Sequence, residues 1–157
     1  MLDILSEKGQ ESRQEELKAL ALFRAFSPSV RVIETPKDTP AVIDWLLVDK
    51  NDTLIGGVEI KCRNISLEYI LEKKWLVTEQ KIIDCSNVCG ALSIPFYGGL
   101  WLIGSETFLM KKIWCPIKGF CTNIEEDRTQ TQATINGGMI YRDNMFIPMN
   151  DAKIIRA

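Results

Sequence analysis

The chain has 157 residues, the length of a single domain and enough to bury a core. Apolar residues make up 46% and charged residues 25%, as in soluble globular proteins, and no apolar run approaches a membrane span. Histidine is absent, which excludes Ser-His-Asp and Cys-His catalysis, so any hydrolysis must use carboxylates, lysine or a hard cation held by oxygen atoms. The net charge of −2 and the pI of about 5.3 give no overall basic field for nucleic acid.

The amino terminus, MLDILSEKGQES, lacks the basic start and apolar centre of a secretory signal, so a cytoplasmic location is expected, with no membrane partner. Five cysteines without a CxxC pair are typical of free thiols in a reducing compartment. Cys85 and Cys89 have the i, i+4 spacing of one helix face and could share a metal. Free cysteine behaves as a small apolar residue, which favours buried thiols instead.

The first half of the chain predicts one helix and three strands. Strong helix formers with periodic apolar residues predict a helix over 7–26, which Ser27-Pro28 ends. A short β-rich run follows at 30–34. The clearest strands are 42–48 and 54–61, and the turn-forming DKNDT between them predicts an antiparallel hairpin.

The second half predicts a long helix and a further strand. Ser66 is a plausible N-cap for a helix that runs to about residue 91. The candidates for its buried face are Trp75, Ile82, Ile83 and Val88. Residues 100–103 read as a buried strand, and 108–114 as another short element.

The carboxyl-terminal third differs in character. The polar run CTNIEEDRTQTQAT, residues 121–134, predicts a loop, and residues 137–149 predict a hairpin that turns at 142–144. The order of elements predicts an α/β domain in which helices flank a mixed central sheet, with a C-terminal β-hairpin extension. We expect one domain over 1–157, with its core at about 7–105 and the extension at about 106–157.

The tripeptide Glu-x-Lys occurs four times, at Glu16/Lys18, Glu59/Lys61, Glu72/Lys74 and Glu79/Lys81. In a helix, residues i and i+2 diverge by about 200°, so the three pairs in predicted helices cannot converge on one ligand. In a strand, residues i and i+2 point to the same face, so Glu59 and Lys61 can converge. Val58 and Ile60 would then face the opposite way and pack into the core.

Asp44 is the unexplained charge in the neighbouring strand, inside the apolar run VIDWLLV. A buried carboxylate is costly unless it is paired, hydrogen-bonded or bound to a cation. With Val48 opposite Leu54, a one-residue bulge at Gly56-Gly57 would bring Asp44 opposite Glu59.

Two carboxylates at adjacent strand positions suit a metal-dependent reaction. Asp44 and Glu59, with the backbone carbonyl of Ile60, can hold Mg²⁺ or Mn²⁺ and leave room for water. Lys61 can position that water or stabilise negative charge in the transition state. The alternative is that Asp44, Glu59 and Lys61 form an ion pair on a solvated face.

Asp44, followed by Glu59-Ile60-Lys61 on the next strand, resembles the motif of the PD-(D/E)XK nuclease superfamily. The resemblance covers about residues 7–105 and implies a restriction-endonuclease-like fold, whose αβββαβ core agrees with the predicted order of elements. It implies that Asp44 and Glu59 are metal ligands and that Lys61 is the catalytic lysine.

The same resemblance implies two further positions. Many members carry a glutamate on the first helix, for which Glu11 is our first choice and Glu15 our second, although both also suit a solvated helix N-terminus. Several members carry a lysine or glutamine on the helix after the motif, where Gln80 and Lys81 fall. One departure is that Pro40 lies four residues before Asp44, whereas the motif's proline is next to the aspartate.

By this resemblance the chain is expected to be a Mg²⁺-dependent endonuclease or exonuclease that binds DNA. Its small size suggests structure-directed cutting of branched or nicked DNA, as in small Holliday-junction-resolvase-type or phage nucleases, which often form homodimers. The alternative is a catalytically inactive module of the same fold that binds DNA, or binds a protein partner through the C-terminal hairpin. The acidic pI favours that alternative, because phosphate-contacting surfaces normally need clustered lysine and arginine.

Overall fold

A computed structural model describes residues 6–38, 41–132 and 139–157 of the chain. The helices are α1 (Glu7–Phe26), α2 (Leu67–Glu72) and α3 (Glu79–Ala91). The strands are β1 (Arg31–Glu34), β2 (Trp45–Val48), β3 (Leu54–Arg63), β4 (Lys74–Thr78), β5 (Phe96–Leu102), β6 (Thr107–Cys115), β7 (Gly119–Phe120), β8 (Glu125–Gln132), β9 (Met139–Pro148) and β10 (Lys153–Arg156). Within the described ranges, no helix is long and apolar enough to cross a membrane.

The strands form two sheets. The main sheet has the order β1-β2-β3-β5-β6-β10, with β7 paired to β6, and the second sheet has the order β4-β9-β8. β3 and β5 run parallel, whereas all the other described pairs are antiparallel. The prediction of a mixed α/β fold, with helices flanking a mixed sheet, is therefore confirmed.

Helix α1 covers one face of the main sheet. Ser6 caps its first turn, because the Ser6 side chain accepts a hydrogen bond from the backbone N–H of Gly9. The buried stripe of the helix packs on β2, β3 and β5 through a cluster that includes Ala19, Leu20 and Phe23. The predicted bounds of this helix, 7–26, are confirmed.

The other face of the main sheet is covered by α3 and the second sheet. Cys85 and Cys89 of α3 are both fully buried in this layer, which confirms their prediction as buried thiols. The two layers hold α1 and α3 against opposite faces of β3. Side chains from both helices can therefore reach the same end of that strand.

The prediction of one long helix over residues 66–91 was wrong. Ser66 does cap a helix, but α2 ends at Glu72 and β4 follows at once. In β4, Trp75 and Val77 are buried at alternate positions, which is the period of a strand. Trp75 pairs with Ile147 of β9, so a partner far along the chain overrides the local helix propensity.

The predicted buried face of that helix is confirmed only in part. Ile82 of α3 is buried and Val88 is partly buried against the same core, but Ile83 is 38% exposed. Trp75 is buried as predicted, although it lies on a strand. The buried stripe of α3 follows Ile82 and Cys85, and Ile83 is rotated by about 100° from Ile82 around the helix.

The carboxyl-terminal third was also predicted incorrectly. Residues 125–132 form β8 instead of a loop, and β9 continues through 142–144, where a turn was expected. The hairpin strands are therefore β8 and β9, and residues 133–138 between them, including Gly137 and Gly138, lie outside the described residues. β6 and β10 belong to the main sheet, whereas β8 and β9 belong to the second sheet.

Candidate active site

The β2–β3 hairpin has the predicted one-residue shift in register. Val48 lies opposite Leu54 as predicted, and the next pair is Leu47 with Gly56. Ile55 is therefore the extra residue of the bulge. The shift is confirmed, but its predicted position at Gly56-Gly57 was wrong, because both glycines have partners on β2.

The glycines serve the packing of neighbouring side chains instead. A Cβ on Gly57 would lie 2.8 Å from the sulfur of Cys89 on α3. A Cβ on Gly56 would lie 2.8 Å from the ring of Tyr97 on β5. The close approach at Gly57 lets α3 pack directly on β3, which brings the start of α3 towards Glu59.

The shift places Asp44 beside Glu59. Trp45 lies opposite Val58, and Asp44 precedes Trp45 by one residue. The Asp44 Oδ2 atom accepts a hydrogen bond of 2.7 Å from the backbone N–H of Ile60. Asp44 lies close enough to Glu59 for its charge to raise the pKa of the Glu59 carboxyl group. Two acidic side chains 15 residues apart in the sequence thus form one pair.

Glu59 is the most buried member of the site, with 2% of its surface exposed. Lys61 Nζ lies 3.2 Å from Glu59 Oε1, and Lys81 Nζ of α3 lies 3.3 Å from Glu59 Oε2. The geometry of the second contact is not that of a hydrogen bond, and Oε2 accepts none from the described residues. Val58 and Ile60 are buried on the opposite face, as predicted.

Burial, together with the neighbouring charge of Asp44, raises the pKa of Glu59 to about 8. The ammonium groups of Lys61 and Lys81 act in the opposite direction but do not outweigh these two effects. At neutral pH the Glu59 carboxyl group therefore carries a proton and can donate it to Asp44 in a hydrogen bond.

Asp44 has a second set of neighbours on the α1 side. Lys37 Nζ lies 3.2 Å from Asp44 Oδ1 and 3.7 Å from Glu16 Oε2. Burial raises the pKa of Glu16, and the charge of Asp44 adds to this effect while Lys37 opposes it. Arg13 Nη1 also approaches Glu16, at 3.4 Å. Glu16 and Lys37 thus extend the carboxylate pair towards α1.

The structure places the other candidate residues as follows. Glu11 is exposed on α1. Glu15 accepts a hydrogen bond of 2.7 Å from the indole N–H of Trp101, which ties it to β5. Gln80 is exposed, and its amide donates to Asp84 on the next turn of α3.

The first-helix glutamate beside Asp44 is therefore Glu16, in place of Glu11 or Glu15. Glu16 lies three and four residues before the buried Ala19 and Leu20, and so on the same helix face. Glu11 is five residues from Glu16 and rotated by about 140°. Helical periodicity anchored on the buried stripe could have identified Glu16.

Two lysines contribute to the site from outside the hairpin. Lys81 of α3 contacts Glu59, in agreement with its candidacy, whereas its neighbour Gln80 does not reach the site. Lys37 was missed, because it lies in the turn-forming run before β2 and no spacing rule connects it to Asp44. Pro40, between them, lies outside the described residues.

The oxygen atoms at this site fit a hard divalent cation. Mg²⁺ and Mn²⁺ prefer carboxylate, carbonyl and water oxygens, and the buried Glu59 Oε2 has no hydrogen-bond donor among the described residues. In a strand, the N–H and C=O of one residue point to the same side, so the Ile60 carbonyl faces the side of Asp44. No group of three acidic or thiol side chains arranged to hold a metal occurs in the described ranges. The donor set is therefore the Asp44–Glu59 pair with this carbonyl.

Comparison of the chain with protein-family models, with curated proteins and with solved structures finds no match. Any function must therefore be argued from the geometry of the site and from the resemblance of its motif. Of the four Glu-x-Lys tripeptides, only Glu59/Lys61 places both side chains together at this site.

Proposed function

We propose that this protein is a metal-dependent nuclease of restriction-endonuclease-like fold, which hydrolyses phosphodiester bonds in DNA. The observation that carries the proposal is the pair of carboxyl groups, Asp44 just before β2 and Glu59 on β3, beside Lys61. The order of α1, the β1–β2–β3 meander, α3 and the parallel strand β5 also agrees with the αβββαβ core that the motif implies.

The residues of the site have distinct roles in this proposal. Asp44 and Glu59 hold the cation, with the Ile60 carbonyl as a further oxygen donor. A bound Mg²⁺ would supply a polarised phosphoryl oxygen and a more acidic water molecule. Lys61 is the most exposed of the three lysines at the site, and it stabilises the negative charge that grows on the phosphate.

The protonation of Glu59 couples metal binding to pH. Glu59 must release its proton to act as an anionic ligand, so binding is weaker when the pH lies below its pKa of about 8. Lys81, which contacts Oε2, favours the ionised form and so lowers the cost of that release. On the other side of Asp44, Lys37 contacts both Glu16 and Asp44 and offsets the repulsion between them.

One observation favours a second candidate, a module of the same fold that binds DNA without cutting it. Each of the three carboxyl groups has an ammonium group within 4 Å, so the chain's own lysines already supply positive charge to the cluster. The members of this cluster are Glu16, Asp44 and Glu59 with Lys37, Lys61 and Lys81. Such a cluster can persist as a structural ion network with no cation.

The test is cleavage of single-stranded, duplex and four-way-junction DNA in Mg²⁺, Mn²⁺ or EDTA. Glu59→Gln and Lys61→Met should each lower the rate by about 10²–10³-fold. Glu72→Gln and Lys74→Met are matched controls, because they alter the same tripeptide at exposed positions outside the site. Both controls should cleave like the wild type.

Two outcomes would decide against the proposal. Metal-dependent cleavage that persists in both site variants would mean that another site performs the reaction. Binding to fluorescent DNA, with no cleavage of any substrate in either metal, would favour the non-catalytic module. EDTA must abolish cleavage by the wild type for the metal requirement to stand.

A further inference from the structure

The β6–β7 hairpin carries two cysteines that the proposed active site does not use. Cys115 lies opposite Gly119, and the turn between them exposes Ile117 almost completely, at 99%. Gly119 has a φ of 81°, in the left-handed region that glycine adopts without strain, which allows the tight reversal. Both Cys115 and Cys121 are partly exposed at this end of the sheet.

The hairpin brings the two thiols together. The backbone N–H of Cys121 donates to the carbonyl of Ile113 at 2.8 Å, so Cys121 lies beside Ile113, two residues before Cys115. Residues two apart in a strand share a face, so Cys115 and Cys121 are diagonal neighbours on one face of the hairpin. The Cys121 thiol donates a hydrogen bond to the Gly119 carbonyl at 3.6 Å, and each of the two thiols affects the pKa of the other.

The two thiols have opposite chemical character. The pKa of the Cys115 thiol is lowered, chiefly by the backbone N–H of Lys118 and to a smaller extent by Cys121 and Ile117. Burial and the neighbouring Cys115 raise the pKa of the Cys121 thiol. Cys115 is therefore the stronger candidate for the reactive thiolate, and Cys121 keeps a proton.

The other thiols of the chain differ in reactivity. Burial raises the pKa of Cys62 to about 12 and that of Cys89 to about 11, and it also raises that of Cys85. A buried thiol that stays protonated is a poor nucleophile. The Cys115/Cys121 pair thus combines solvent access, a thiol of lowered pKa and a second thiol on the same face of the hairpin.

We propose that Cys115 and Cys121 form a redox-active dithiol, which hydrogen peroxide converts into a disulfide across the β6–β7 hairpin. The Cys115 thiolate attacks one peroxide oxygen, so that an S–O bond forms, the O–O bond breaks and hydroxide leaves. The Cys121 thiol then attacks the resulting sulfenic sulfur, so that the S–S bond forms and water leaves. The two sulfurs are oxidised by two electrons in total, and the peroxide is reduced.

The test treats the reduced full-length protein with hydrogen peroxide and follows its mass. The wild type should lose two hydrogens, and peptide mapping should join Cys115 to Cys121. Cys121→Ser should stop at a sulfenic acid on Cys115, which a 1,3-dione reagent traps. Cys115→Ser should remain reduced at the same dose, and Cys62→Ser should behave like the wild type.

Several results would overturn the inference. The inference is wrong if Cys115 stays a thiol while Cys62 reacts. It is also wrong if Cys115 forms disulfides between chains, or if Cys115 is oxidised to the sulfinic acid although Cys121 is present. Thermal unfolding of each variant, before treatment, establishes that the fold is intact. The experiment measures the mass of the protein and not DNA cleavage. Its result is therefore independent of whether the protein is a nuclease.

Discussion

Replacing Glu59 with glutamine tests whether this buried carboxyl group is held protonated beside Asp44. Glutamine has nearly the same shape and no charge, so it mimics the protonated form. The folded protein holds the Glu59 proton up to about pH 8, whereas the ordinary pKa is 4.5. The stability linked to this proton is therefore fully present below about pH 4.5 and is lost as the pH rises through about 8.

The magnitude follows from proton linkage. Where only the folded state holds the proton, the free energy of unfolding falls by about 1.4 kcal/mol per pH unit. Between about pH 6 and about pH 8 the wild type should lose about 2 kcal/mol from this group. For a chain of this length, that loss corresponds to a fall of about 4–8 °C in Tm. Glu59→Gln should lack this component.

The assay is urea unfolding in EDTA at a series of pH values. Other groups titrate in both proteins, so the difference between the wild type and Glu59→Gln isolates the contribution of Glu59. Glu72→Gln, an exposed change of the same kind, should follow the wild type. If the curves of the wild type and Glu59→Gln run parallel from about pH 6 to about pH 8, Glu59 is not held protonated.

Addition of Mg²⁺ extends the same experiment to the proposed cation site. At about pH 8, Mg²⁺ at about 100 times its Kd should stabilise the wild type by about 2.7 kcal/mol. Glu59→Gln should gain much less, because it has lost an anionic ligand. An equal gain in both proteins would place the bound cation elsewhere.

Three further predictions concern neighbouring positions. Lys61→Met should lower kcat by about 10²–10³-fold, whereas Mg²⁺ should still raise the free energy of unfolding of this variant. If Mg²⁺ no longer did so, Lys61 would be needed for metal binding and not only for the charge on the phosphate. Glu16→Gln should lower the rate of cleavage by about 10–100-fold, because Asp44 would be misplaced. Glu11→Gln is the control and should leave the rate unchanged. Equal effects of the two variants would contradict the placement of Glu16 at the site. Gly57→Ala should lower the urea-derived stability by about 1–3 kcal/mol, because its Cβ would lie 2.8 Å from a buried sulfur, but Gly104→Ala should not.

The elements predicted well are those whose local pattern agrees with their tertiary environment. Helix α1 has strong helix formers, a Ser6 cap and an apolar stripe, and its bounds were predicted to the residue. The β2–β3 hairpin has a turn-forming run between two β-rich segments, and its register was predicted up to the place of the bulge. In both, residues close in the sequence supply the contacts that stabilise the element.

The elements predicted poorly depend on distant partners. Residues 74–78 have helix formers on either side, but they form β4 because Trp75 pairs with Ile147. The polar run at 125–132 forms β8 because β9 supplies the opposite edge. No local pattern predicts either pairing, because the favourable contacts join residues up to about 70 positions apart along the chain.

The sequence alone determined which kinds of side chain can take part in chemistry at the site. The absence of histidine restricted hydrolysis to carboxylates, lysine and a cation, and strand periodicity singled out Glu59 and Lys61 from four identical tripeptides. Only the tertiary structure decided which side chains lie beside Glu59 and Lys61. Glu16, Lys37 and Lys81 lie on a helix, in a turn and on a second helix, respectively. The reason is physical: periodicity reports which face a side chain occupies within its own element. The packing of α1 and α3 on opposite faces of β3 determines which side chains of the different elements meet at the site.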